Sequence, residues 1–397
     1  MKTSNIAKKR ADRIWLRAED CQVADLQALA GRNVNLADYP FADTAEKNVL
    51  IYDCDAIREA IKDPEQRKAV MAEWVDAFMD GPGVIVLKKA EMDLGMIDRA
   101  SGIFREIIAE QHRTNSGGGD HFAKPGANDR IWNSLEKHCL ADPENFAAYY
   151  SNEILALVSE AWLGPYYQMT AQLNVVNPSG ASQSAHRDYH LGFQTAEAIM
   201  RYPRHVHLTS PVLTLQGAVA HVDAPLETGP TLLLPFSQCY DAGYLAMNRP
   251  DFQTFFKANH VQLPLEKGDM LFFSPALLHA AGSNQSKDVK RMVNLFQVSS
   301  AYGRAMESVD RARMCKTLYK TLAVAKESKS LSADEIANAI AASAEGYSFP
   351  TNLDRDPPLG GLAPKTQAAL FHEALEEKWP PAKFSAELDK QLAKKLT

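Results

Sequence analysis

Along the first 165 residues apolar positions recur mostly at helical spacing. Pro64 to Asp80 is the clearest case: Val70, Trp74, Val75 and Phe78 follow a helix-starting proline, and Gly81-Pro82-Gly83 ends the segment. The short apolar run Val84 to Leu87 predicts a strand. Met96 to Ile108 predicts another amphipathic helix, with Ile97, Ile103, Phe104, Ile107 and Ile108 on its apolar side. Residues 114 to 128, TNSGGGDHFAKPGAN, combine three consecutive glycines with a Lys-Pro-Gly turn and predict a loop. Its length suits either a lid, in which His121 and Lys124 close over a substrate, or a plain solvated connection.

The texture changes between residues 165 and 302. Short β-like runs separated by Gly, Pro and Asn cover Tyr166 to Val176, Val212 to Val222, Thr231 to Leu234, His260 to Leu265, Met270 to Phe273 and Met292 to Ser299. Such spacing predicts an antiparallel barrel or sandwich. Beyond Arg304 the pattern is helical again, over Val309 to Ser328, Ser332 to Gly346 and a Lys-rich terminal segment, with a loop from Tyr347 to Pro364. The expected organisation is one domain over 1–397, mainly β at its core. A mostly helical part (1–164) precedes that core (165–302), and a helical extension (303–397) follows it.

Composition narrows the function classes. With 46% hydrophobic and 23% charged residues among 397, the chain has the makeup of a globular protein. A net charge of −6 offers no diffuse basic field for nucleic acid. The five cysteines are scattered and form no C-x-x-C pair, which argues against a disulfide framework or zinc knuckle. The charged N-terminus lacks a signal-type apolar core, and no stretch reaches eighteen consecutive apolar residues. A cytoplasmic protein without membrane contact is the expectation, and a small molecule is the expected substrate.

The chemistry concentrates after the turn Asn177-Pro178-Ser179-Gly180. In an extended segment residues i and i+2 share a side, so His186 and Asp188 can present an imidazole nitrogen and a carboxylate oxygen to one ion. Two histidines and one carboxylate on one face of a metal leave three positions open for a bidentate co-substrate and dioxygen. His279, which follows the turn and buried strand Lys267 to Pro275, is the best third ligand. His190 competes, because His186, Asp188 and His190 all recur at period two; a strand-local triad bends poorly around one ion, which leaves His190 as a substrate-side group or an ordinary imidazole. Arg187 and Tyr189 alternate away from the ligands and read as wall support. Arg291, at the head of the apolar strand Met292 to Phe296, can hold a buried carboxylate in a bidentate fork, or else pair with Asp269 or Asp288.

The series His186-x-Asp188, then Glu227-Thr228-Gly229-Pro230 through Pro235-Phe236-Ser237, then Gly268-Asp269, His279 and Arg291 resembles the phytanoyl-CoA dioxygenase family over roughly residues 165 to 302. Thr228, Phe236 and Gln238 depart from that family's usual Asn, Gly and closing His, and the ligands are untouched. The resemblance implies a double-stranded β-helix, or jelly-roll barrel, flanked by helices. It implies Fe(II) on His186, Asp188 and His279, and 2-oxoglutarate anchored by Arg291 with help from Gln172 or Asn174. It further implies a reaction in which O2 and 2-oxoglutarate give succinate and CO2 while a substrate is hydroxylated. Retention of Asp188, which related halogenases lack, favours hydroxylation. The modest charge does not point to a CoA-sized polyphosphate and fits a small polar metabolite or natural-product intermediate. A cupin-type metal enzyme that needs no 2-oxoglutarate, or a non-catalytic sensor on the same fold, are the competing readings; Arg291 separates the first and an intact triad argues against the second.

Overall fold

The computed structural model describes residues 2–114 and 126–396, with side chains from residue 8 onward. The predicted loop with His121 and Lys124 falls almost wholly outside the described residues. The chain divides into two compact units, each assembled from three pieces: 1–92, 119–130 and 174–295 form the first, and 93–118, 131–173 and 296–397 the second.

Ten strands occur among the described residues: β1 (Thr44–Glu46), β2 (Val49–Asp53), β3 (Val84–Lys88), β4 (Asn128–Ile131), β5 (Gln168–Val176), β6 (Thr214–Ala220), β7 (Leu232–Leu233), β8 (Met270–Phe273), β9 (His279–Ala280) and β10 (Arg291–Ser299). Eight of them pair in the order β1-β2-β3-β8-β6-β10-β5-β4, and β7 pairs with β9. The larger sheet is therefore open, with β1 and β4 at its edges, rather than closed into the barrel that the sequence suggested. Three of its strands, β1, β2 and β4, lie where a helical texture was expected. The β1–β2 hairpin turns on Lys47 and Asn48, both at positive φ (52° and 63°), a tight turn made without the Asn-Gly signature that advertises one. Helices occupy the expected places, including Pro64–Met79, Leu94–Thr114, Arg311–Ser328 and Ala333–Ser343. The strand expected from Val212 begins at Thr214, since Arg204–Val212 is helical, and His260 to Leu265 contributes only isolated bridges at Val261 and Leu265.

In the first unit β3 is parallel to β2 and antiparallel to β8, and β8 is antiparallel to β6. β6 and β8 are buried along their whole length, which explains the unbroken apolar run of β8 and the mostly apolar one of β6. Gly217 makes their contact possible, since a Cβ there would fall 2.3 Å from the Phe272 ring. Buried Asp269 ties the β8 turn to β3: it pairs with Lys88 Nζ at 2.5 Å and accepts the backbone N–H of Lys89 (3.0 Å) and Glu266 (2.8 Å).

The second unit packs its helices around aromatic side chains. His138 sits among Phe104, Phe146 and Tyr149 with ring centroids 5.2 to 5.6 Å away, and its Nε2 meets Asn145 Oδ1 at 2.8 Å. Tyr319 stacks on Phe384 at 4.3 Å. Burial pushes the His138 imidazolium pKa down to about 4, so the folded state holds a neutral ring. The unfolded chain protonates near 6.5, so this ring's contribution is full above that pH and is lost as pH falls toward 4. His138→Gln should lose about 3 kcal/mol less unfolding free energy than wild type between pH 7 and 4, measured by urea titration at each pH. An unchanged pH slope would assign the acid sensitivity to other groups.

Candidate metal centre

Three ligand atoms converge in the first unit. One each from His186, Asp188 and His279 lie within 4.8 Å of one another. Asp188 Oδ1 is 3.8 Å from His186 Nε2, and Oδ2 is 3.4 Å from His279 Nε2.

Backbone pairing brings the two histidines together. His186 N–H donates to His279 O at 3.0 Å and His279 N–H to His186 O at 3.2 Å, an antiparallel bridge that places the imidazole centroids 4.5 Å apart. Asp188 N–H donates to Pro275 O at 3.1 Å, which keeps the segment extended for two further residues. Each histidine also sets its Nδ1 against a backbone carbonyl two residues earlier: His186 on Ser184 O and His279 on Leu277 O, both at 2.9 Å. A carbonyl only accepts, so Nδ1 carries the proton in both rings and Nε2 keeps its lone pair for a cation. Phe273 backs the His279 ring at 4.7 Å.

Electrostatics fit the same role. Burial, then the charge of His279, pushes the His186 imidazolium below its ordinary pKa and favours the neutral ligand form. Burial alone would raise the Asp188 carboxyl, but His186, His279 and Gln216 outweigh it and hold the group well below the usual carboxylate range. Two neutral imidazoles and one ionised carboxylate are the donor set that suits a divalent transition metal such as Fe(II).

His190 does not join them. Tyr189 and His190 both take positive φ (64° and 41°), which breaks the period-two pattern immediately after Asp188. His190 opens a short 3-10 turn, and its Nδ1 faces Ser210 Oγ at 3.1 Å. Arg187 is buried as a wall support. Its guanidinium donates to Ser237 O at 2.5 Å and lies 5.3 Å from the Tyr244 ring, and burial pushes its pKa down to about 10. The guanidinium occupies the space over Gly243, where a Cβ would fall 1.9 Å from Arg187 Cζ.

Arg291 is 4% exposed, and its Nε and Nη1 have no hydrogen-bond partner. Burial alone shifts it, down to about 10. Asp269, one acid that sequence offered as its partner, is taken by Lys88 and two backbone amides. Asn174 is buried with Oδ1 unpartnered. Gln172 belongs to the second unit, where its Nε2 donates to Gln297 Oε1 at 3.2 Å. Sequence reasoning missed Gln216, whose Nε2 donates to Asp188 Oδ2. The available signal was a lone amide in the otherwise apolar run Thr214 to Ala220.

No helix among the described residues is long and apolar enough to cross a membrane. The family model described as phytanoyl-CoA dioxygenase (PhyH) matches residues 61–292. No curated protein matches the chain. Solved structures with similarity include the non-heme alpha ketoglutarate dependent epimerase SnoN from nogalamycin biosynthesis, at 18% identity and TM-score 0.39 over 60% of this chain and 84% of that one. The carbocyclase SnoK from the same biosynthesis aligns at 17% identity and TM-score 0.41, over 61% and 88%. AviO1 from Streptomyces viridochromogenes Tue57 aligns at 16% identity and TM-score 0.42, over 59% and 97%.

Gly243→Ala should displace Arg187 from beneath the ligand segment. The expected result is a loss of about 1–3 kcal/mol of stability from overpacking, read by urea unfolding, together with Mn(II) affinity at least about tenfold weaker. Wild-type values for both would remove Arg187 as the support of residues 186–188.

Proposed function

The chain belongs to the phytanoyl-CoA dioxygenase family, and from that premise and its metal centre we propose that it is an Fe(II)- and 2-oxoglutarate-dependent oxygenase that hydroxylates a small polar metabolite. The observation that carries the reading is the presence, in one compact unit, of a His-Asp-His triad and a buried guanidinium with no acid partner among the described residues. A buried cation is costly unless a counter-charge completes it, and a planar guanidinium matches a carboxylate in a two-bond fork.

In this reading His186, Asp188 and His279 hold the iron, with both Nδ1 protons fixed on backbone carbonyls so that only Nε2 faces the ion. When bound, Fe(II) supplies the redox chemistry by which O2 and 2-oxoglutarate yield succinate, CO2 and a hydroxylated substrate. Arg291 anchors the distal carboxylate of 2-oxoglutarate. Asn174 is the better of the two amides offered to help it, because the donor Nε2 of Gln172 is engaged by Gln297 Oε1. Asp188 occupies the position whose loss would favour halogenation, so its presence supports hydroxylation.

The jelly-roll assignment belongs to the same proposal. The order β8-β6-β10-β5 within the larger sheet supplies one layer. The opposing layer is the run of short pairings His186 with His279, β7 with β9, and Leu233 with Val261. Two such four-member layers are what a double-stranded β-helix requires, and the strands outside them are additions at the edges.

Anaerobic addition of Fe(II) and 2-oxoglutarate to wild type should give a weak visible charge-transfer band that is lost in His186→Ala and His279→Ala. Arg291→Met should keep metal binding but need roughly 10–100-fold more 2-oxoglutarate, the scale of charge-assisted hydrogen bonds. A full band in His279→Ala, or wild-type 2-oxoglutarate affinity in Arg291→Met, would overturn the corresponding role.

A further inference from the structure

We propose that Gln216 is a positioning residue for the metal centre: its amide takes one oxygen of Asp188, so that the carboxylate offers a cation a single donor, Oδ1, and leaves the remaining coordination positions free. The inference rests on the iron-binding reading above and deepens it.

Gln216 lies on β6, directly opposite Phe273 of β8, and Phe273 packs against the His279 ring. Gln216 is 6% exposed, and the flanking residues of its strand are buried. Its Nε2 donates to Asp188 Oδ2. The orientation of the amide is dictated by chemistry, because an ionised carboxylate only accepts and the reversed amide would set Oε1 against it. Oε1 is thereby left buried without a donor. An orphaned carbonyl in a low-dielectric wall costs free energy, and no other side-chain hydrogen bond of Gln216 among the described residues compensates for it. The amide is therefore committed to Asp188 rather than to the fold.

The commitment has a definite effect. Asp188 Oδ2 lies 3.4 Å from His279 Nε2 and Oδ1 lies 3.8 Å from His186 Nε2, so both oxygens face the triad and the Gln216 hydrogen bond is what withdraws Oδ2. Without that tether a carboxylate rotates freely about its last bond and can close on a cation with both oxygens. Closure with both would occupy one of the three positions that a co-substrate and dioxygen need. Gln216 thus governs how many positions are open as well as how tightly the ion is held.

The test uses Mn(II) in place of iron, with Gln216→Met as the near-isosteric variant and Gln216→Ala as the second. Circular dichroism and urea unfolding establish that each is folded. Mn(II) affinity is read by electron paramagnetic resonance, and the number of coordinated waters by water-proton relaxivity. Expected are an affinity loss of about tenfold or more in either folded variant, and relaxivity per bound ion lower by about a third, as three open positions become two. A merely structural role would leave the relaxivity of the bound ion unchanged. Wild-type affinity and relaxivity in a folded variant would overturn the proposal while leaving the iron-binding reading intact. Failure of the wild type itself to bind Mn(II), or undiminished binding in His279→Ala, would overturn both.

Discussion

Two backbone hydrogen bonds between His186 and His279 hold the candidate site together. Ninety-odd residues separate these histidines in the chain, and the reciprocal N–H···O pair fixes them opposite each other on adjoining strands. Everything else elaborates that register. The extended geometry it imposes carries Asp188 to the same side, and the carbonyls of Ser184 and Leu277 then turn each ring so that Nε2 points inward. A slip of one residue in either segment would send its imidazole to the opposite face, because side chains alternate with a period of two.

Support for this register comes from unusual places. Arg187, between His186 and Asp188, is a buried cation held, among the described residues, by a backbone carbonyl, an aromatic face and the space above Gly243. Gln216 restrains the carboxylate from the opposite wall. Asp269 secures the turn that leads into β8, the strand whose Phe273 backs His279. Each neighbour restricts one degree of freedom of a ligand, which is the kind of preorganisation that metal sites draw from their surroundings.

Much of this was legible in the residues. The triad and Arg291 stood out because His186 and Asp188 stand two residues apart, because His279 and Arg291 border short apolar runs, and because their order along the chain resembles a family pattern. The decoy His190 followed from extrapolating strand alternation through Tyr189, where the backbone leaves the extended region for positive φ, a change that neither residue type signals. Gln216 was hidden for a different reason: its role depends on which residue lies across the sheet, and long-range pairing is not written in local periodicity. The same limit explains β1 and β2, whose short hairpin turns on Lys47-Asn48, and β4, a strand of four residues beside a glycine-rich stretch.

The buried guanidinium of Arg291, with no acid partner among the described residues, has a consequence for the life of the protein. A ligand that binds only the folded state raises its stability with the logarithm of its concentration. If the ion that completes Arg291 is an abundant metabolite, the lifetime of the polypeptide against proteolysis becomes coupled to the supply of that metabolite. The guanidinium would then act as a metabolic gauge on the protein's own abundance.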